Sequence, residues 1–145
     1  MLVNLIKKEK DDNQLWQNLL GTLQKFSLWG SGSTKMIELG MIDWIVNVIW
    51  SEISTLSEYS LEYATALLMN LTLWSIGKDA CENPKLWVLH LLSDLIDHEN
   101  YQIWTYVNGT LYSLFSRKSL KEEAKWLNID KWIAENLEAL DQQYQ

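Results

Sequence analysis

One cysteine, Cys81, one proline, Pro84, and one arginine, Arg117, occur in 145 residues. A lone cysteine excludes an internal disulfide framework, a zinc knuckle and a Cys-x-x-Cys redox pair, and it fits a reducing, cytoplasmic setting. Basic side chains are also scarce: 12 Lys and Arg stand against 19 Asp and Glu, leaving a net charge of -7. Affinity that rests on neutralising phosphates needs a concentrated basic surface, and the short run Lys7, Lys8, Lys10 does not supply one. No nucleic-acid partner is expected. No apolar run approaches the ~20 residues that span a bilayer. The start, Met1 to Ile6, lacks both the charged segment and the cleavage site of a signal peptide. A soluble chain with no membrane insertion is expected.

The residues of catalysis are equally thin. His90 lies in the apolar run around Trp87 to Leu92, and His98 follows an aspartate at a helix end, which suits surface or cap roles. Cys81 has no histidine near it in sequence to activate the thiol. Asp11 with Asp12, and Glu122 with Glu123, are acidic pairs at helix beginnings, where the exposed amides favour negative charge. No phosphate loop, nucleophile elbow or zinc-protease motif occurs. No catalytic residue, cofactor or metal ligand is therefore assigned, and the chain is read as a non-enzyme. The glycosylation triplets at Asn70 and Asn108 fall inside helical patterns rather than on loops and are read as chance matches.

What is present is hydrophobic residues at spacings of three and four, 48% of the chain, with few period-two runs. This predicts an all-α protein. A long helix is expected from about Asn13 to Leu28, with Leu15, Leu19, Leu23 and Phe26 as its buried stripe. A short helix over Lys35 to Leu39 follows, capped by Thr34 and stopped by Gly40, and then a second helix over Met41 to Trp50. The order returns as Glu58 to Leu73, Gly77 to Cys81, and Leu86 to Ile96 beyond Pro84. It returns again as Tyr101 to Phe115, Leu120 to Trp126, and Ile129 to about Leu140. Gln14 to Leu23 matches Gln102 to Leu111 at Gln, Trp, Gly, Thr and Leu, and Tyr59 to Leu68 lies in the same phase. Lys25, Asn70 and Ser113 are then equivalent, 45 and 43 residues apart. A period of about 40–47 residues marks armadillo or HEAT arrays, in which stacked units share a core that one hairpin cannot close. The expected fold is a right-handed armadillo/HEAT-like solenoid of about three repeats. It forms a single domain over 1-145 with units at roughly 11-52, 56-98 and 99-142, and a polar tail at 141–145 that frays.

Ala66 to Leu73 resembles the long third helix of armadillo repeats, and Glu38 to Ile45 resembles their passage from short helix through glycine to second helix. Leu61 to Leu71, Leu92 to Ile96, His98 to Asn100, Tyr106 to Ser113 and Lys121 to Ala124 are similar to the armadillo core of a LisH-domain family of cilia and basal bodies. That resemblance covers most of residues 15 to 127, without the LisH segment. It implies a protein-interaction scaffold at a cilium or basal body. Two departures support a second reading, an engineered armadillo scaffold with a tryptophan-rich artificial interface or ligand pocket. Gly30 to Ser33 reads as a flexible linker, and tryptophan stands near positions 29, 74 and 104, where the family pattern favours arginine.

Nine tryptophans are a large number, and tryptophan concentrates at the energetic centres of interfaces. Trp44, Trp50, Trp126 and Trp132 are expected in the core or at its caps. Trp29, Trp74 and Trp104 are the interface candidates, available to a partner or to self-association. In peptide-binding members of the armadillo family, third-helix asparagines clamp an extended ligand, and Asn70 matches that position. The tryptophan expected one turn earlier is Ala66, and Lys25 and Ser113 replace the equivalent asparagines, so the nuclear-import type of ladder is absent. A groove lined by Tyr63, Asn70, Tyr106 and Ser113 remains the expected protein-binding surface.

Overall fold

A computed structural model describes residues 2–8 and 14–143, with the backbone alone for 137–143. Asp11 and Asp12, expected as caps, lie outside the described residues, as do the side chains of the 141–145 tail. The described residues form α-helices and no strand. In chain order these are α1 (Leu2–Lys8), α2 (Gln14–Phe26), α3 (Gly30–Glu38), α4 (Met41–Glu52), α5 (Glu58–Leu71), α6 (Ser75–Cys81), α7 (Val88–Leu95), α8 (Tyr101–Leu114), α9 (Lys118–Trp126) and α10 (Ile129–Gln143).

Local chemistry sets the helix ends. Ser57 Oγ accepts the Ser60 amide of α5 at 3.1 Å, and Asn100 Oδ1 accepts the amides of Gln102 and Ile103 at 2.9 and 3.2 Å. Each such cap satisfies an orphan donor and is worth about 1 kcal/mol. Gly40 takes a left-handed φ of 78° and ends α3 where a stop is expected. The expected helix Leu86 to Ile96 is instead divided. Pro84 opens a separate 3₁₀ turn, Pro84–Leu86, whose first amide is taken by Asn83, and Trp87 at φ 57° breaks the chain before α7.

The expected linker Gly30 to Ser33 is the first turn of α3, so Thr34 is interior to the helix rather than its cap. Its glycine serves packing. A Cβ on Gly32 would collide with the Phe26 carbonyl oxygen at the end of α2, and one on Gly77 would collide in the same way with Leu71 at the end of α5. Ser33 is fully buried and its hydroxyl donates to the Ser27 carbonyl at 2.6 Å. A tight turn from long to short helix therefore explains the glycine and serine, and a flexible loop is ruled out at this position.

The long helices α2, α5 and α8 pack side by side with α5 between its neighbours. Beside them α1 packs on α2, α4 on α5 and α7 on α8, while α3, α6 and α9 bridge successive layers. The middle helix is accordingly the most enclosed: Leu61, Ala64, Thr65, Ala66, Leu67, Leu68, Asn70 and Leu71 are all buried. On α2 the buried stripe is Trp16, Leu19, Leu20 and Leu23, whereas Leu15 and Phe26 are exposed. The three-and-four spacing fits either phase of that helix. Contact with α1 on one flank and α5 on the other selects the observed one.

Candidate functional site

The residue before each short helix occupies the same structural position. Trp29, Trp74 and Arg117 are the N-caps of α3, α6 and α9, all in extended backbone conformation and none capping through its side chain. Two of the three side chains connect layers. Arg117 reaches back to α6, donating to Asp79 Oδ1 at 2.6 Å, Glu82 Oε1 at 2.9 Å and the Ser75 carbonyl at 3.1 Å. The Asp79 hydrogen bond holds the guanidinium pKa above its ordinary value. Trp74 reaches back over α3 in the same manner, its ring so close that a methyl on Gly30 would approach Cη2 to 2.9 Å. Trp29 is the first member of this series. It is 60% exposed, with its ring 6.3 Å from that of Phe26.

A second surface lies along the row of long helices. Gln17, Asn18, Thr22 and Lys25 of α2 face Tyr59 and Tyr63 of α5 across a polar cleft of about 290 Å3. The Tyr59 and Tyr63 hydroxyls are 3.1 Å apart and their rings meet edge to face at 4.9 Å. Their hydrogen bond, assisted by desolvation, raises the Tyr63 pKa. Tyr106, half-buried on α8, is near enough to act on Tyr63 electrostatically. Ser113, also half-buried, lies in the last turn of α8.

Asn70 does not face this cleft. Only 5% exposed, its amide donates to Ser27 Oγ at 2.9 Å and so ties α5 to the end of α2. An asparagine amide already buried and bonded between units is not available to clamp a ligand backbone, which corrects the expectation drawn from its position. Trp104 lies elsewhere again, half-buried and stacked on Tyr101 at 5.9 Å. With Asn108 and Tyr112 of α8 and Phe115 at its C-cap it faces Trp132, Ile133 and Asn136 of α10 across an apolar cleft of about 200 Å3. The expected interface residues thus fall in separate places: the short-helix edge, the polar cleft, the layer between α2 and α5, and the α8/α10 end.

Of the tryptophans expected in the core or at caps, Trp44 packs on Trp16 at 6.1 Å and Trp132 is half-buried. Trp50 is exposed and Trp126 is 87% exposed. Both stand in the last turns of helices, α4 and α9. The cleft residues Gln17, Asn18 and Tyr59 carry no signal beyond polarity, although the four-residue spacing of Tyr59 and Tyr63 puts both on one helix face. Arg117 was findable, being the sole arginine and in repeat register with Trp29 and Trp74.

Burial, with a smaller contribution from Asp43, pushes the Cys81 thiol up to about 12, so the sulfur is a thiol at neutral pH. His90 packs against Trp87 with ring centroids 4.6 Å apart and planes tilted by 47°, and its Nδ1 is 3.9 Å from Glu123 Oε1. Among the described residues, no three His, Cys, Asp or Glu side chains converge as a metal site would require. Nor is any helix among them long and apolar enough to cross a membrane.

Long helices in register, each followed by a short and a second helix and sharing a continuous core, define a helical-repeat solenoid of the armadillo class. The family model for LisH domain-containing protein ARMC9, ARM repeats, matches residues 36–145. LisH domain-containing protein ARMC9 of Homo sapiens is 47% identical over 130 residues, covering 90% of this chain and 16% of that protein. The Bos taurus protein is 46% identical over the same length, covering 90% and 19%, and the Danio rerio protein is 40% identical, covering 90% and 16%. The chain belongs to this ARMC9 armadillo-repeat family and spans less than a fifth of the length of these relatives. No solved structure matches it.

Proposed function

We propose that this chain is a non-enzymatic protein-interaction scaffold that receives an extended segment of another protein along its row of long helices, in the setting of a cilium or basal body. The observation that carries the reading is the α2/α5 cleft, where the amides of Gln17 and Asn18, the ammonium of Lys25 and the hydroxyls of Tyr59 and Tyr63 converge. Amides and phenols offer both donors and acceptors to a peptide backbone, while the tyrosine rings add apolar contact at small entropic cost. Tyr106 extends the same line onto α8, with Ser113 further along that helix. The net charge of -7 supports a protein rather than a nucleic acid as partner.

A peptide-display selection against the intact chain tests this, followed by titration of the selected peptides. Binding is expected to weaken at least about tenfold in Tyr59→Ala and Lys25→Ala, a loss of roughly 1.4 kcal/mol or more. Selected peptides that bind both variants as tightly as the parent chain would refute the assignment. Exposure of Trp29 supports a second reading, self-association through the short-helix edge that carries Trp29 and Trp74 and through the separate α8/α10 end that carries Trp104. Light scattering of the parent and a Trp29→Arg, Trp74→Arg, Trp104→Arg chain separates the two readings, because only self-association predicts a larger parent assembly that the substitutions dissolve.

A further inference from the structure

The turn from long to short helix is built alike in the first two units. Ser27 and Thr72 are buried, while the Leu-Trp pair after each points outward: Leu28 is 64% exposed and Trp29 60%, Leu73 60% and Trp74 41%. Backbone hydrogen bonds from Trp29 to Phe26 and from Leu73 to Asn70 hold the pairs on rigid turns. The Trp74 ring lies against Gly30, so the two turns abut and, with Phe26 and Ile76 also exposed, form one apolar edge. Stacking of units does not cover this edge. Leu73, Trp74 and Ile76 belong to the middle unit, where α6 has α3 on one side and α8 on the other, and they are exposed all the same. In the third unit the same step is Ser116-Arg117-Lys118.

Charge is sorted along the same axis. None of the 19 Asp and Glu residues falls in 14–37, 63–78 or 101–121, the stretches that run through the three turns, whereas Lys25, Lys35, Lys78, Arg117, Lys118 and Lys121 all do. Acidic residues gather instead at the opposite end of the long helices, with Glu58 and Glu62 at the start of α5 and Asp97 and Glu99 just before α8. Just beyond the edge, Asp79 and Glu82 are both paired with Arg117.

From these exposed Leu-Trp turns on an acid-free, lysine-bearing margin we infer that the edge is a contact surface for an anionic lipid bilayer, on which the protein lies without spanning it. Leucine and tryptophan enter the interfacial layer, tryptophan settling at headgroup level, while lysine stems lie along apolar surface and their ammonium groups reach the phosphates. Lys25 and Lys118, both exposed, supply those ammonium groups in the first and third units. The charge separation turns this edge toward a negative surface and the acidic end away from it. Projecting turns suit a plane that yields to them, and the Leu-Trp pairs line neither the α2/α5 nor the α8/α10 cleft. A second copy set edge to edge would instead bring lysine against lysine.

The probe is a vesicle of phosphatidylcholine and phosphatidylserine, mixed with the intact chain and followed by flotation. Half-saturation is expected at about 0.1–1 mM lipid, the range of a single acyl chain. Vesicles of phosphatidylcholine alone, and raised salt, each weaken binding by about fivefold or more. Leu28→Ser combined with Leu73→Ser is expected to lower the partition by about tenfold or more, and Lys118→Gln by about fivefold. Both leucines are so exposed that their substitution leaves the fold intact, which the far-UV circular dichroism of each variant checks. Tyr101→Ser, which removes an exposed aromatic at the opposite end of α8, leaves the partition unchanged. So does Tyr59→Ala in the polar cleft, so this surface succeeds or fails independently of the one proposed above. Absence of flotation up to about 5 mM lipid, or flotation indifferent to the leucine and lysine substitutions, overturns the inference. So does a parent chain that light scattering finds dimeric and that Leu28→Ser with Leu73→Ser turns into a monomer, since a second copy would then cover the edge.

Discussion

Trp16 and Trp104 occupy the same step of the same repeat, yet one is 4% exposed in the core and the other lines an open cleft. Their helices share Gln, Trp, Gly, Thr and Leu at matched positions and are 13 and 14 residues long. What separates them is that α2 is covered by α5 and α8 has nothing equivalent on its outer side among the described residues. In a stacked array the worth of an apolar residue is set by the adjoining unit, so identical motifs acquire core energetics in one layer and binding potential in another.

The most direct way to break this comparison is to truncate both rings. Trp16→Ala is expected to destabilise the chain by about 3–5 kcal/mol, the range for emptying a buried aromatic site, and Trp104→Ala by roughly 1 kcal/mol. Urea denaturation of the two variants measures the difference, and equal losses would contradict the view that the ends are energetically distinct. Second in size is the turn between long and short helices. Gly77→Ala places a methyl against the Leu71 carbonyl and is expected to cost roughly 1–3 kcal/mol, while alanine at Lys118, exposed at the start of α9, changes stability by less than about 0.5 kcal/mol.

Asn70→Ala sharpens the contrast between an inter-unit clamp and a ligand clamp. Loss of the Asn70 to Ser27 bond inside the protein is expected to cost about 1–2 kcal/mol in thermal or urea unfolding. Affinity for peptides that occupy the α2/α5 cleft is expected to stay within about twofold, because the amide does not face them. Cys81 provides the smallest effect near neutral pH. Its folded pKa of about 12 lies above the 9.0 of a free thiol in the unfolded chain. The unfolded chain therefore releases the proton first as pH rises. The stabilisation is complete below pH 9 and is lost progressively between pH 9 and about 12. In that window the parent should lose up to about 1.4 kcal/mol per pH unit more than Cys81→Ala, whose curve subtracts the other titrating groups.

Much of the fold is legible in the chain itself. Ser57 and Asn100 announce helix starts, Gly40 announces a stop, and the match between Gln14 to Leu23 and Gln102 to Leu111 announces the repeat, because these depend on interactions within a few residues or on comparison along the chain. The candidate site was legible only in part. Tyr63 lines the α2/α5 cleft, whereas Asn70 shares its helical register and turns inward, since Ser27 just past α2 is there to receive its amide. The glycine and serine of Gly30 to Ser33 have the composition of a linker. Only the close approach of the Phe26 carbonyl, a contact between consecutive helices, shows why a helix begins with them.

The sequence by itself determined an all-helical chain of repeating long, short and second helices, acidic and poor in reactive side chains, because periodicity, caps and composition act locally. Only the tertiary structure decided which of nine tryptophans are core, which span from one unit to the next and which are left open. Burial is a property of what lies opposite a side chain, and along the row of long helices what lies opposite is another unit, some 40 residues away along the chain.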